Sequence, residues 1–333
     1  MSSSFIKKLQ MEARKNPKSI IFPESFNEKV LMASRKIVDM GIAFPILVGK
    51  QAEIEEFAKG IDVNTSGFRF IDYQDETIIS ETVEAYSKIN TLLSVKAITR
   101  KIKNPLNFAA VQVRLDQADC LAAGITYTTG DVILSAQMFI GLQENVQTIS
   151  SMGIVEVPDF MGQGPKFIGI SDCAVCQNPS SEELADIACV TSDTYKAVLK
   201  DEPKAALVSF STDGSSQHEI VDKVVEAVKM ARTKRPELNI DGEFQIDAAL
   251  IEAVAKKKVK KESSVAGQAN IIIFPDLNAG NIGVKLIQIF GGVNAHGPLL
   301  QGFKKPVTDF SRSAPVDEIV GNLTMLVTMA GVK

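Results

Sequence analysis

A serine and an arginine stand side by side near the carboxyl terminus of the chain. Ser311 and Arg312 follow Asp309 and precede a helical pattern that contains Glu318. A guanidinium group can bind phosphate through two parallel hydrogen bonds, and a helix N-terminus adds partial positive charge. The neighbouring carboxylates could take a proton from a reacting group. These residue types suit a site that holds a phosphoryl or acyl-phosphate anion and removes a proton.

A second segment with anion-binding character runs from Ala123 to Asp131. It is rich in small and hydroxyl-bearing residues, including Thr128 and Thr129, and it precedes an apolar helical pattern. Its backbone N–H groups and hydroxyls could cradle an anion. The simpler interpretation is a capped helix start with Thr128 or Thr129 as the N-cap.

Several familiar catalytic motifs are absent from the sequence. There is no Gly-x-x-x-x-Gly-Lys-Ser/Thr phosphate loop and no Gly-x-Ser-x-Gly nucleophile turn. Gly162 and Gly164 lack the third glycine of a dinucleotide-binding motif, because Phe167 stands at its position, and they are more typical of a hairpin loop. Cys173 and Cys176 have the spacing of a zinc pair, but there is no second pair. We therefore expect reduced thiols and no metal.

The composition is typical of a globular protein. The 333 residues are 45% hydrophobic and 23% charged, and this length suggests two domains. A net charge of −4 gives no general attraction to nucleic acid or to an anionic membrane. The first residues lack the apolar core of a signal peptide, and no apolar run is long enough to span a bilayer. We predict a cytoplasmic protein.

Strands and helices alternate in a pattern that predicts a parallel α/β sheet. A buried strand that ends at Pro23-Glu24 is followed by a helix at Glu28–Met40 and a strand at Phe44–Val48. Further helices are predicted at Phe5–Lys15, around Ile78–Ile102, and at Ser181–Val198, His218–Ala231 and Val316–Ala330. The capping pattern of Ser180 and Glu183 marks the start of the helix at Ser181–Val198. Further strands are predicted at Phe68–Ile71, Thr148–Val157, Lys166–Ser171 and Ala205–Phe210.

The stretch from Ser263 to Val320 holds much of the candidate chemistry. Its apolar run Ile271–Phe274 predicts a buried strand, and Pro275–Gly283 predicts a Gly/Asn loop at the carboxyl end of that strand, followed by a helix. The lysine-rich run Lys256–Glu262 comes just before this stretch. Such a run is more typical of a solvated helix end than of a site for a polyanion.

An ordered series of motifs in the carboxyl-terminal half resembles the phosphate acetyltransferases, also called phosphotransacetylases. The amino-terminal half matches thinly, through Phe22-Pro-Glu24 and the segment Ala118–Thr129. The motifs that carry the resemblance are Asp172-Cys-Ala-Val175, Ser209-Phe-Ser-Thr-Asp-Gly214, Asp241-Gly-Glu-Phe244, Val265–Asn270, Phe274–Lys285, Gly297–Gly302 and Asp309-Phe-Ser-Arg312.

This resemblance implies an α/β fold of two domains, like that of isocitrate and isopropylmalate dehydrogenases, with a cleft between the domains. We place the first domain at residues 1–150 plus 306–333 and an inserted second domain at residues 151–305. Family members are usually homodimers that transfer an acetyl group between coenzyme A and phosphate without a metal. Coenzyme A, acetyl phosphate and phosphate would be substrates, and no cofactor would be bound permanently. The resemblance implies no nucleic acid or membrane partner.

The resemblance also implies roles for particular residues. In the family mechanism a carboxylate takes the thiol proton, the thiolate attacks the acyl phosphate carbonyl, and an arginine stabilises the departing phosphate. Ser311 and Arg312 match the family's Ser-Arg pair, and Glu318 stands at the position of the catalytic aspartate, so these three are the expected catalytic residues. The expected substrate-binding residues are Tyr127, Thr128, Thr129, Asp309 and Lys88.

The sequence departs from the family pattern at several of these positions. Glu318 is one methylene longer than the family's aspartate, Leu134 stands where the family has an arginine, and Lys88 is the nearest cation to the position of another arginine. Leu134 and Ile125 would make the pocket more apolar, so a propionyl or butyryl group is an alternative to acetyl. A non-catalytic paralogue that senses acyl-coenzyme A is a second alternative, which the missing arginines and the changed carboxylate favour.

Overall fold

The computed structural model describes residues 4–331, which divide into two compact units. The first unit holds the chain up to Gln143 and again from Phe303 onward, and the second holds Glu144–Gly302. These boundaries differ by a few residues from those placed at 150/151 and 305/306. The N–H group of Gln147 donates to Asp186 Oδ2 at 3.0 Å, and this bond attaches the residues before the first strand of the second unit to that unit.

Both units are built from alternating strands and helices, as the sequence pattern predicts. The strands are β1 (Lys18–Phe22), β2 (Ala43–Val48), β3 (Arg69–Ile71), β4 (Cys120–Ala123), β5 (Ser150–Val157), β6 (Lys166–Ser171), β7 (Lys204–Val208), β8 (Asn239–Phe244), β9 (Ile271–Ile273), β10 (Asn294–Gln301) and β11 (Val307–Asp309). The helices are α1 (Ser4–Lys15), α2 (Glu28–Asp39), α3 (Gln51–Gly60), α4 (Glu76–Ser87), α5 (Val95–Lys101), α6 (Pro105–Arg114), α7 (Thr129–Phe139), α8 (Ser181–Leu199), α9 (Glu219–Lys234), α10 (Ile246–Leu250), α11 (Glu252–Lys258), α12 (Leu277–Gly291) and α13 (Val316–Ala330).

The sheet of the first unit is parallel and places three chain segments at one edge. Its strand order is β3-β2-β1-β4-β11, and each neighbouring pair is parallel. Glu24 follows β1, Gly124 follows β4, and Asp309 ends β11. Because the carboxyl ends of parallel strands meet at the same edge, these residues are brought together although they are far apart in sequence.

The core of the first unit explains why these strand ends are held firmly. Ile20, Ile21 and Phe22 of β1 are fully buried, and Leu323 and Leu326 of α13 are fully buried as well. Burying one such side chain contributes about 1.5–3 kcal/mol. Helix α13 is buried on all sides from Ile319 to Thr328, which fixes the position of its first turn, shortly after Ser311-Arg312 in the chain.

The second unit combines a hairpin with a parallel α/β series. Its strand order is β10-β5-β6-β9-β7-β8, in which β5 pairs antiparallel with β10 and β6 and the other pairs are parallel. The loop with Gly162 and Gly164 joins β5 to β6, so the predicted hairpin is confirmed. Helix α8 begins with a capping box between Ser180 and Glu183, the motif that predicted its start.

The predicted Gly/Asn loop at Pro275–Gly283 is wrong, because most of this segment belongs to α12. Asp276 is the N-cap, and its Oδ1 accepts the N–H of Ala279 at 2.9 Å. A Cβ at Gly280 would lie 2.2 Å from the carbonyl oxygen of Asp172. The glycine therefore serves a close approach between helix and backbone rather than a flexible loop.

Two other predictions are refined. The helical stretch around Ile78–Ile102 is two helices, α4 and α5, because Asn90 accepts the N–H groups of Leu92 and Leu93 in a turn between them. The lysine-rich run lies at the end of α11, as predicted. Lys258 pairs with Asp247 at 2.7 Å, so at least one charge of the run serves the fold.

Candidate active site

Glu24 fills a cradle of backbone N–H groups at the carboxyl end of the first sheet. Its Oε2 accepts the N–H groups of Gly124 and Ile125 at 3.0 and 3.2 Å. Its Oε1 accepts the N–H of Tyr127 at 3.1 Å, the hydroxyl of Thr126 at 2.7 Å and also the N–H of Thr126. Hydrogen bonds to a carboxylate are stronger than those between neutral groups. The cradle therefore holds an internal carboxylate, not the external anion that the sequence suggested.

The helix start after this cradle is capped as the simpler interpretation predicted. Thr128 is the N-cap of α7, and its Oγ1 accepts the N–H of Asp131 at 3.1 Å. Asp131 Oδ2 in turn accepts the N–H and the hydroxyl of Thr128 at 3.0 and 2.7 Å. These bonds give Thr128 a structural role, and its assignment to substrate binding stays a prediction.

Asp309 is a buried carboxyl group with one occupied and one unoccupied oxygen. The hydroxyl of Thr129 donates to its Oδ2 at 2.5 Å, whereas its buried Oδ1 has no hydrogen-bond partner among the residues that the structure describes. Burial raises the pKa of Asp309 to about 6, the Thr129 bond opposes this rise, and the negative charge of Glu24 adds to it. A Cβ at Gly124, where φ is +116°, would lie 2.3 Å from Oδ1. Glycine is therefore required at this contact.

Ser311 and Arg312 are exposed on a segment that is held by its backbone. Lys29 Nζ donates to the carbonyl oxygens of Arg312 and Ala314 at 3.2 and 3.0 Å. The hydroxyl of Ser311 lies 2.9 Å from that of Ser313. The Arg312 guanidinium makes no hydrogen bond or ion pair with any residue between 4 and 331. A fixed segment thus presents an unpaired cation, which is what an anion-binding site needs.

Two carboxylates interact with the charge of Arg312 or with that of Lys29, which holds this segment. Hydrogen bonds from Thr128 lower the pKa of Asp131, and the positive charge of Arg312 lowers it further. Glu318 lies in the first turn of α13. Partial desolvation raises the pKa of Glu318, and the positive charge of Lys29 opposes that rise. A carboxylate with a raised pKa is a better proton acceptor than an ordinary surface glutamate.

Tyr127 and Lys88 have different surroundings. Tyr127 is half-buried, and burial raises its pKa, with a further contribution from the charge of Glu24. It lines a cavity of about 270 Å³ in the first unit. Lys88 is exposed and pairs with Glu84 at 2.8 Å on the surface of α4. No bond in the described chain joins Lys88 to the other candidate residues, and its role in substrate binding stays a prediction.

No metal or membrane site emerges from the described residues. Within residues 4–331, no group of three or more His, Cys, Asp or Glu side chains could hold a metal ion. All four cysteines are free thiols, and burial raises the pKa of Cys176 to about 11. None of the helices in this part of the chain is long and apolar enough to cross a bilayer.

Comparison with known proteins identifies the family of this chain. The family model described as phosphate acetyl/butaryl transferase matches residues 4–328. The chain belongs to this family. A phosphate acetyltransferase of Acetivibrio thermocellus is 35% identical over 327 residues, and the match covers 96% of each chain. A phosphate acetyltransferase of Clostridium acetobutylicum is 36% identical over 322 residues, again with 96% of each chain covered.

Solved structures support the same family and the fold class. A phosphotransacetylase from Streptococcus pyogenes matches with a TM-score of 0.89 at 30% identity and covers 99% of each chain. A 4-hydroxythreonine-4-phosphate dehydrogenase from Klebsiella pneumoniae matches with a TM-score of 0.55 at 10% identity, over 94% of this chain and 98% of that one. The α/β fold of dehydrogenase type that the resemblance implied is therefore confirmed.

Reasoning from the sequence of this phosphate acetyl/butaryl transferase family member missed the role of Glu24. The carboxylate after a buried strand was recognised, but its partners lie about a hundred residues further along the chain. The sequence shows only the two partners separately: a carboxylate at the end of a predicted strand, and a loop at residues 124–127 whose backbone N–H groups need acceptors. Their contact can be predicted only when it is known that β1 and β4 are neighbours in the sheet.

Proposed function

We propose that the protein is a phosphate acetyltransferase, which transfers an acetyl group reversibly between coenzyme A and phosphate. The observation that carries this proposal is the unpaired guanidinium of Arg312, beside the hydroxyl of Ser311 and shortly before Glu318 in the first turn of α13. Membership of the phosphate acetyl/butaryl transferase family and the names of the relatives support it.

The reaction needs a base and a site for phosphate. A coenzyme A thiol is mostly protonated at neutral pH, whereas the thiolate is the nucleophile. Glu318 takes the thiol proton, and the thiolate attacks the carbonyl carbon of acetyl phosphate. The bond from that carbon to the bridging oxygen breaks, and the electron pair leaves with phosphate. Arg312 and Ser311 stabilise the leaving phosphate through charge-assisted hydrogen bonds.

Thr129 and Asp309 support this site from the sheet. Thr129 is bound to Asp309, so both side chains have fixed positions at the carboxyl end of β11. The buried Oδ1 of Asp309 packs against Gly124, so the exposed Thr129 presents the accessible surface of this pair. We assign substrate binding to this pair, together with Tyr127.

The working form is a homodimer in the cytoplasm that binds coenzyme A as a substrate and keeps no permanent cofactor. Helix α12 supports the dimer, because it carries a stripe of exposed apolar residues. The exposed fractions are 57% for Ile282, 48% for Leu286, 74% for Ile289 and 82% for Phe290. Their spacing places them on one helix face, and exposed apolar faces of this kind are typical of interfaces. The four free thiols suit a reducing compartment.

A butyryl or propionyl group is the second candidate for the acyl substrate. Leu134 and Met138 line the cavity beside Tyr127, and Leu134 is 59% exposed. Two apolar side chains at a cavity wall favour a longer acyl chain by about 1 kcal/mol per added methylene.

Replacement of Arg312 tests the proposal. We expect Arg312→Ala to raise the KM for acetyl phosphate about 10- to 100-fold, because a charge-assisted hydrogen bond is lost, and to leave the KM for coenzyme A unchanged. Arg14→Ala removes the same charge from α1 and serves as the control. Steady-state kinetics with an unchanged KM for acetyl phosphate in Arg312→Ala would contradict the role of this residue.

A further inference from the structure

The cavity beside Tyr127 has properties of a small-molecule site. Its volume of about 270 Å³ lies just below the range of pockets for drug-sized ligands, so it suits a small substrate or part of a larger one. One wall is formed by Leu134 and Met138 of α7, and another by Lys101 and Asn104 near the turn between α5 and α6.

Lys101 contributes an unpaired positive charge to this cavity. The residue is half-buried, and its Nζ has no hydrogen bond or ion pair within residues 4–331. Burying part of a charge is costly unless an opposite charge or hydrogen-bond acceptor compensates for it. The carboxylate that lines the same cavity, Asp131, is already engaged by Thr128.

A buried hydroxyl without a partner lies at the same place. Ser135 lines the cavity and is only 3% exposed, and its Oγ has no hydrogen-bond partner among the described residues. Buried polar atoms nearly always have a partner, so each exception calls for a ligand, a water molecule or another explanation.

The amide groups near the cavity leave donors rather than acceptors free. Asn104 uses its Oδ1 to accept the N–H groups of Leu106 and Asn107 at 2.9 and 3.2 Å, which leaves its Nδ2 as a donor. Asn107 Nδ2 donates to the carbonyl oxygen of Lys101 at 3.0 Å and fixes the backbone that carries the lysine. A cation, an amide donor and a hydroxyl together suit an anion.

We propose that Lys101 is a substrate-binding residue whose ammonium group pairs with the phosphoryl group of the acyl phosphate in this cavity, with Ser135 as an additional hydrogen-bond donor. The inference rests on the proposed function and names the subsite that this function uses. Asp131 lines the cavity, and its pKa, which hydrogen bonds from Thr128 lower most, is lowered further by the positive charge of Arg312. Leu134 and Met138 then contact the acyl chain.

Calorimetric titration with inorganic phosphate tests the subsite without requiring turnover. Lys101→Gln should weaken phosphate binding, and raise the KM for acetyl phosphate, about 10- to 100-fold, while the KM for coenzyme A stays unchanged. Lys101→Arg should restore part of the affinity. Lys103→Gln is the matched control, since it removes the same charge from an exposed neighbour that does not line the cavity, and it should bind phosphate like the wild type.

A second variant separates binding from folding. Ser135→Ala should lower phosphate affinity about 3- to 10-fold, while the free energy of unfolding stays the same or rises, because the hydroxyl has no partner to lose. A loss of stability without a loss of phosphate affinity would show that Ser135 serves only the fold and would contradict its part in the proposal.

The outcomes distinguish this inference from the proposed function. Equal phosphate affinity in wild type and Lys101→Gln overturns the inference, as does failure of the wild type to bind phosphate. Loss of affinity for coenzyme A in Lys101→Gln, with unchanged affinity for dephospho-coenzyme A and acetyl phosphate, also overturns the inference. Lys101 would then bind the phosphate group that dephospho-coenzyme A lacks. If the wild type shows no turnover but Lys101→Gln loses phosphate binding, the anion subsite stands and the proposed enzyme activity fails.

Discussion

At the scale of single residues, two carboxyl groups have raised pKa values and different tasks. Glu318 lies in the first turn of α13, shortly after Arg312 in the chain, and is the base of the proposed reaction. Asp309 is buried at the end of β11 and bound by Thr129. The difference in burial suggests that Glu318 exchanges its proton with substrate, whereas Asp309 fixes the position of its neighbours.

Glu318→Gln should reduce kcat for thioester formation about 100- to 10,000-fold, because the amide cannot accept the thiol proton. The KM values should change little. Asp317→Asn is the control, because this substitution removes a carboxylate from the adjacent position. Asp317 is exposed and pairs with Lys36 at 2.7 Å. In the wild type, kcat should fall as pH drops through the raised pKa of Glu318. Near-normal kcat in Glu318→Gln would exclude this residue as the base.

Asp309 should make the protein less stable as pH rises from acidic to neutral values. Its pKa is raised from 3.8 to about 6 in the folded state, so between these values the folded chain binds more protons than the unfolded chain. Stability therefore falls as pH rises through this window, by up to about 3 kcal/mol. Asp309→Asn should lack this fall, because asparagine does not titrate.

Urea denaturation of both proteins at several pH values measures the effect. The free energy of unfolding of Asp309→Asn minus that of the wild type should increase from pH 4 to pH 7. A constant difference across this range would mean that the carboxyl group titrates normally in the folded chain.

At the scale of elements, the site depends on connections between strand ends. Glu24 ties the end of β1 to the loop between β4 and α7, and Thr129 ties the start of α7 to the end of β11. Lys29 at the start of α2 holds the segment before α13. The Ser311-Arg312 segment and the cradle are therefore positioned by three strands and two helices.

Glu24→Gln should destabilise the first unit by about 3 kcal/mol. The amide nitrogen would face N–H groups that now donate to a carboxylate oxygen, and these buried donors would lose their partner. Thermal or urea unfolding measures the change. Glu28→Gln, at an exposed position in the first turn of α2, should cost less than about 1 kcal/mol. An equal effect of the two substitutions would mean that the cradle does not stabilise this unit.

The sequence predicts those parts of the elements that depend on neighbours in the chain. The capping signals at Thr128 and Ser180 predicted helix starts that the structure confirms. The segment Pro275–Gly283 was predicted as a loop from its glycine and asparagine residues. In the structure Gly280 instead allows a close contact with the backbone of Asp172, which is distant in the chain. The role of Glu24 was missed for the same kind of reason.

At the scale of the whole molecule, family membership and the residues of the site support the same activity. The chain matches the phosphate acetyl/butaryl transferase family over residues 4–328. Three departures made a non-catalytic paralogue an alternative: Leu134 in place of an arginine, a second missing arginine whose nearest cation is Lys88, and Glu318 in place of an aspartate. Lys101 supplies a positive charge in the cavity that Leu134 also lines. Glu318 keeps a carboxylate, and its pKa is raised.

The apolar stripe on α12 predicts a dimer that a single charge should weaken. Phe290→Asp places a carboxylate at the most exposed residue of the stripe, and light scattering should show the mass of one chain instead of two. Ile220→Asp is the control, because Ile220 is an exposed apolar residue on α9, outside the stripe. A wild-type protein with the mass of one chain would contradict the dimer.

Turnover by the purified wild-type protein tests the proposed acetyl transfer most directly. Coenzyme A is mixed with acetyl, propionyl or butyryl phosphate, and thioester formation is followed by ultraviolet absorbance, with coenzyme A binding measured in parallel. We expect multiple turnovers with acetyl phosphate, without added metal. Binding of coenzyme A without turnover of any of the three acyl phosphates would contradict the proposed acetyl transfer and would identify the chain as a sensor rather than an enzyme.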